Sequence, residues 1–354
     1  MFLFLLCLIP LAIPLITKHW FDKDLTWREI GLCCVAPVVL MCSLYAVFSY
    51  QETSDVEVLN GAVTSKERNE VHCRHSYDCN CYYTTHRNSN GSYSRTRHCS
   101  TCYEHRFDVD WDVLTSIGNY TVDTIDRQGL QEPQRWTIVN TGDPVSKTSS
   151  YTNYVRGAKA SLFNLEQYKN YSALVPEYPS NIYDMYKINR VIDIGANIPN
   201  KAELDTGLSY ILSRLGVSKQ VNVVLVTTNQ PEDFSYGVRN KWLGGKKNDL
   251  IINVGMDKSF NITWVKVFGW SANEMVYIKL RDDLKALGTF TNTQGILNVI
   301  ETDVKNHYQR KHMKDFEYLK SEVEPSTEKL MWALLFCVLL SIGLTVWCVR
   351  EDVM

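Results

Sequence analysis

The sequence carries almost no net charge. Its 37 lysines and arginines face 39 aspartates and glutamates, leaving −2 at neutral pH with histidine uncharged. That balance supplies no basic surface for a phosphate backbone, so nucleic acid is not an expected partner. Catalytic fingerprints are missing as well: no GxSxG elbow, HExxH pair, P-loop or dinucleotide-binding glycine pattern occurs. Gly244-Gly245-Lys246-Lys247 is glycine-rich and basic, but it lacks P-loop spacing and suits a turn between a helix and a strand. No internal repeat and no long low-complexity tract is present. The N-terminal apolar run has neither a basic flank nor a small-residue cleavage site, which argues against a cleaved secretory signal.

Long apolar runs are there instead. Residues 30–50 and 330–349 are uncharged over about the ~20 residues that a helix needs to cross a bilayer. Residues 1–17 form a third, shorter run with two prolines, read here as transmembrane helix 1, with an uncleaved signal-like anchor as the alternative. Trp20, Phe21, Trp27, Trp332 and Trp347 flank these runs, as aromatics do at a membrane interface. Lys18, Lys23 and Arg28 occupy the first loop, and Arg350 opens the C-terminal tail. The positive-inside bias places both in the cytoplasm and the bulk of the chain, 51–329, outside it. The chain is expected to be an integral membrane protein with the lipid bilayer as one partner.

Of eleven cysteines, six lie in the apolar runs. The other five gather between His72 and His105, in the patterns His72-Cys73-Arg74-His75, Cys79-Asn80-Cys81 and His98-Cys99-Ser100-Thr101-Cys102, closed by His105. CxxC spacing lets two sulfurs turn toward one ion. The preferred reading is a structural zinc site on Cys79, Cys81, Cys99 and Cys102, with Cys73, His75 and His105 as substitute or second-site ligands. Disulfides are the alternative, since an oxidising compartment favours them, although five cysteines leave one thiol over. A redox-active CxxC is a third reading, and the loop-rich surroundings do not supply the βαβ context it needs.

Residues 51–68 read as a linker or a juxtamembrane helix. Phe107 to Val113 alternates apolar residues with Asp108, Asp110 and Asp112, a half-exposed strand whose aspartates form a solvated face or, less simply, a hard-cation site. Residues 120–126 and 135–140 read as further strands. Together 51–185 make a small β-rich Cys/His-cluster module, with tyrosines dense toward its end.

Residues 190–305 are the best-defined part. Val191 to Ile194 is a short strand. Leu204, Leu208, Ile211, Leu212 and Leu215 mark one face of a helix over 202–215, and Gly216 suits its left-handed C-terminus. Residues 221–226 are apolar and β-branched, a strand covered on both faces. Pro231, Glu232 and Asp233 open the next helix. Strands over 249–254 and 262–268 form a hairpin-like pair, and helices over 273–287 and 293–308 follow, with helix-like character continuing to 323. The stretch VNVVLVTTNQPEDFSYGVRNKWLGGKKNDLIINVGMD resembles the TPM domain family. Trp242, Gly244, Asn248, Asp249 and Asp193 stand at positions of that family's pattern. The resemblance implies a membrane-anchored α/β domain outside the cytoplasm, serving as a phosphatase, a divalent-metal binder or an accessory subunit. Here the family's glycine-rich hairpin is replaced by Met256 to Phe260, with no acid pair.

The expected fold is therefore α+β and membrane-anchored. A TPM-like α/β sandwich over 186–323, a mixed sheet flanked by helices, joins the Cys/His module and three transmembrane helices. The leading function is a non-enzymatic binding or assembly factor that contacts another membrane or envelope protein. The second is a metal-dependent phosphatase with a divalent cation on Asp193, Asp249 and Asp257 at the sheet edge. Carboxylates gathered in an open site with room for a phosphate favour the enzyme; dispersed ones, with an exposed apolar or tyrosine-rich patch, favour the binding protein.

Overall fold

The computed structural model describes residues 2–20, 25–87, 91–163 and 168–351. It is a mixed α+β protein, with a helical bundle at one end and a head of sheets and helices at the other. Helices span Phe2–Trp20, Trp27–Thr53 and Thr327–Glu351. Among the described residues, Trp27–Thr53 and Thr327–Arg350 are long and apolar enough to cross a membrane, and the first helix offers the shorter apolar segment Leu6–His19. The Trp27–Thr53 helix starts on a capping box between Thr26 and Glu29. Leu6, Met41, Leu330, Ala333 and Cys337 pack the three helices together near the head. Leu25, Ile30, Cys33 and Cys348 do so at the other end. Pro14 has no N–H for the Pro10 carbonyl one turn earlier. The buried Ser341 hydroxyl donates to that carbonyl at 2.8 Å, tying the first helix to the last.

Among the described residues, two four-stranded sheets and one two-stranded sheet build the head. Strand β1 (Ser54–Val71) follows the Trp27–Thr53 helix directly. Strands β2 (Ser76–Arg87) and β3 (Tyr93–Tyr103) form a hairpin apart from the other sheets. Then come β4 (Asp108–Thr115), β5 (Tyr120–Val122) and β6 (Pro144–Thr152), giving the order β5-β4-β1-β6, antiparallel throughout. The 51–68 segment is thus neither linker nor helix. β1 pairs with β6 along its first half and with β4 along its second. Residues 135–140 are not a strand either: Pro133 sets up a helical turn, Gln134–Ile138.

The second sheet matches the sequence reading closely. Parallel strands β7 (Val191–Ile194), β8 (Asn222–Thr228) and β9 (Asp249–Met256) are joined by the antiparallel β10 (Ile262–Gly269) in the order β10-β9-β8-β7. Alternation along β8 decides the layering. Val223 and Leu225 face the helices Lys201–Lys219, Met275–Ala286 and Thr293–His307. Val224 and Val226 face Phe234, Val238, Trp242 and Val175 on the other side. Beyond His307 the chain runs extended and then forms a 3-10 helix, Met313–Glu322, so the helix expected to reach 323 stops earlier.

Gly216 does not end its helix. The helix runs on to Lys219, and Gln220 takes the left-handed conformation. Gly216 is glycine because the helix crosses β1 there: a Cβ would lie 2.0 Å from the Asn60 carbonyl oxygen. An alanine in a helix interior ordinarily gains up to ~1 kcal/mol over glycine, but here it must push a strand away, and such overpacking costs ~1–3 kcal/mol. Gly216→Ala is expected to lower the denaturation midpoint; a rise would show that the helix and β1 do not press together.

Candidate metal centre

The hairpin leaves the body sheet at one junction. β1 ends at Val71, paired with Asp108 at the start of β4. Between them the chain goes out along β2 and back along β3. Glu104 N donates to the His75 carbonyl at 3.0 Å and clasps the two crossing links. This brings together Cys73 and His75 on the outgoing link, His105 on the returning link and Asp108 on β4. One ligand atom from each lies within 4.8 Å of the others. His75 Nδ1 and His105 Nδ1 stand 3.3 Å from Asp108 Oδ2 and Oδ1. Cys73 Sγ stands 3.8 Å from His105 Nδ1. A tetrahedral ion with bonds of ~2.0 Å to nitrogen or oxygen and ~2.3 Å to sulfur separates its ligands by ~3.3–3.6 Å; the two histidine–aspartate spacings match this and the Cys73–His105 spacing is slightly wider.

Two further features suit an ion. Cys73 is 1% exposed and Asp108 4%, and His75 Nδ1 is buried yet makes no hydrogen bond, despite its nearness to Asp108. The Arg74 backbone N–H donates to Asp108 Oδ2 at 2.8 Å, as outer partners do for ligating carboxylates. That bond, with lesser help from Cys73 and His105, holds the Asp108 carboxyl below the usual range against the opposing effect of burial.

The preferred zinc set is overturned. Cys79 is bonded to Cys102 and Cys81 to Cys99, so those four sulfurs hold no metal. In the β2–β3 register Cys79 lies opposite Ser100, with a bulge between Cys79 and Tyr82. This places one bridge on each face of the hairpin. CxxC spacing points at one ion only where the backbone turns; on a strand, the cross-strand neighbour wins. Cys73, His75 and His105, expected as substitute or second-site ligands, instead stand with Asp108 as a group that could hold an ion. Asp108 was missed in that role. The signal was its place three residues after His105. Its companions are spent elsewhere: Asp110 binds the Arg74 guanidinium, and Asp112 accepts from Asn69 Nδ2 at 2.8 Å and Thr121 Oγ1 at 2.6 Å. Asp108 and Asp110 are buried rather than on a solvated face.

The second expected site is not assembled. Asp193 stands at the C-terminal end of β7 beside Thr227, and Asp249 at the opposite, N-terminal end of β9 beside Asn222. Each aspartate serves its own turn or neighbour. Asp193 accepts from the Ala196 and Ile198 backbone and from Thr227 Oγ1. Asp257 accepts from Ser259 N, Asn261 N and Asn261 Nδ2. Asp249 is fully buried and accepts from Tyr178 OH at 2.9 Å, Asn222 Nδ2 at 3.0 Å and Lys246 N at 2.7 Å. Burial pushes its carboxyl up to about 6, against the pull of those donors.

Searches of protein-family models, of curated proteins and of solved structures return no match to this chain. Local geometry therefore carries the functional argument.

Proposed function

We infer that the chain is a membrane-anchored binding or assembly factor whose head works outside the cytoplasm. The single observation that carries this is the β2–β3 arm. Among the described residues no other strand pairs with it, and its burial pattern is exposed or intermediate at every described position. An isolated hairpin is marginal in water, so an arm with no core of its own must be held by other means. Two disulfides and the Cys73–His75–His105–Asp108 cluster at its base are such means. Tyr77, Tyr82, Tyr83, Tyr93 and Tyr103 are exposed on it, and tyrosine is enriched where proteins bind one another. Dispersal of Asp193, Asp249 and Asp257 supports this reading over the phosphatase.

The ion in this proposal is zinc, and its role is structural. Four protein ligands, two of them deeply buried, leave no open coordination position for substrate. The first helix, joined to the last through Ser341 and Pro10, is taken as the third span of the bundle. Disulfides support an oxidising compartment for the head, and Lys18, Arg28 and Arg350 lie at the end of the bundle away from it. The head's α/β sheet, with Trp242, Gly244 and Asn248 at its corner, remains similar to the TPM pattern in this proposal, and the partner is another membrane or envelope protein.

The test is native migration of the full chain extracted from its membranes in mild detergent. The expected result is a complex heavier than the chain and its micelle, lost when residues 76–103 are replaced by a short turn. A chain that runs alone, or one that washes from membranes in alkaline carbonate, would overturn the proposal.

A further inference from the structure

The arm has two unlike faces. Register pairs Tyr83 with Arg97, Thr85 with Arg95 and Arg87 with Tyr93, and directly paired residues share a face. One face thus presents Tyr83, Thr85, Arg87, Tyr93, Arg95 and Arg97. Contacts agree with the register: the Arg95 guanidinium lies 4.2 Å over the Tyr83 ring, and Arg97 reaches the Cys81 sulfur at 3.1 Å on the same side. The other face carries Tyr82 stacked on His98 at 5.3 Å, with Thr84 bonded to that imidazole. Charge is lopsided too. Asp78 is the arm's single carboxylate between residues 76 and 103, against three arginines. It pairs with Arg97 at 3.6 Å, with both side chains more than half exposed.

We propose that this arginine–tyrosine face is the docking surface for an acidic, extended segment of a partner protein. The inference rests on the binding-factor reading and names the chemistry of the partner. Guanidinium forks match carboxylates in pairs, and tyrosine rings give flat contact area at little entropic cost. Both disulfides hold the face in place before any partner arrives, which lowers the ordering cost of binding. Position favours a protein over the chain's own bilayer. The arm leaves from the far end of β1, whose 18 residues at ~3.3 Å each span ~55 Å from the membrane helix. The disulfides suit an oxidising compartment, which favours a protein over a nucleic acid.

The experiment uses the full chain in detergent and fluorescently labelled poly-L-glutamate, with oligothymidylate and phosphatidylglycerol vesicles as rival probes. Binding is read by polarisation across a salt series. The expected result is saturable, salt-sensitive binding of poly-L-glutamate. The triple variant Arg87→Gln, Arg95→Gln, Arg97→Gln weakens it at least about tenfold, while His98→Ala on the other face changes it less than about twofold. All three arginines are exposed, so the variant keeps its fold, checked by the two disulfides remaining mapped. No saturable binding, equal losses in both variants, or tighter binding of the oligonucleotide or the vesicles would overturn the proposal. If the triple variant still migrates in the native complex that the armless chain leaves, the acidic partner is excluded and the binding role stands.

Discussion

Stripping metal from the purified chain lowers the melting temperature of its head by about 10 °C, and added zinc restores it. The size follows from linkage. A ligand present at a thousandfold over its dissociation constant stabilises the folded state by ~4 kcal/mol, and each kcal/mol moves the transition of a domain this size by ~2–4 °C. Cys73 and Asp108 are buried, so without an ion a carboxylate and a thiol sit out of water with two imidazoles, the Arg74 backbone N–H and the His75 carbonyl as counterparts. Cys73→Ser and His105→Ala each abolish the response to zinc, and neither changes the mapped Cys79–Cys102 and Cys81–Cys99 bridges. Alkylation mapped by mass spectrometry adds a second reading: Cys73 reacts only after chelation. A chain that carries no metal from zinc-containing medium, and whose melting is indifferent to added zinc, sinks the assignment.

The sheet β10-β9-β8-β7 and its helices were legible because their burial is one-sided or complete. A helix that buries one stripe repeats its leucines, as Leu204, Leu208 and Leu215 do, and a strand buried on both faces reads as a run, as 222–228 does. β1 was not legible. Its burial changes character midway, from the side that meets the Lys201–Lys219 helix to the exposed run before the arm, so no single period marks it. The arm escaped for a stronger reason. Exposed on both faces, it has no alternation to detect, and its disulfides are set by cross-strand register, which spacing along the chain does not encode. Of the candidate centre, three residues could be named because cysteine and histidine are conspicuous. Asp108 could not, since an aspartate on an alternating strand looks solvated until the fold shows what covers it.

Arg190 was equally silent in the sequence, and its removal is expected to do the most damage of any single polar change. It is 1% exposed and stands just before β7, where the two large sheets of the head meet. Its Nη2 donates to Asn60 Oδ1 on β1 at 2.6 Å and to Ser146 Oγ on β6 at 2.8 Å, and its Nη1 donates to Ser209 Oγ at 3.2 Å. Asn60 passes the network on to the Val221 carbonyl and to Asn222, which in turn donates to Asp249. Burial presses the guanidinium down to about 10, with Asp205 opposing the shift, so it stays charged at neutral pH. Arg190→Ala leaves a cavity and takes the guanidinium donors away from the oxygens of Asn60, Ser146 and Ser209, leaving Asn60 Oδ1 only the Ser146 hydroxyl, which donates to it at 2.8 Å. Losing hydrogen bonds from a charged donor, each worth ~1.5–3 kcal/mol, together with the packing of a buried side chain costs ~3–5 kcal/mol. Arg190→Met fills the space without the charge and loses less, because well-packed apolar groups replace such networks at modest cost. Asn60→Ala on top of Arg190→Ala adds little, since both remove one connection. Denaturant unfolding of the parent chain, the two Arg190 variants, Asn60→Ala alone and the double variant decides it. Additive losses, or a methionine variant no better than alanine, would mean that Arg190 fills space at this interface and does not organise it.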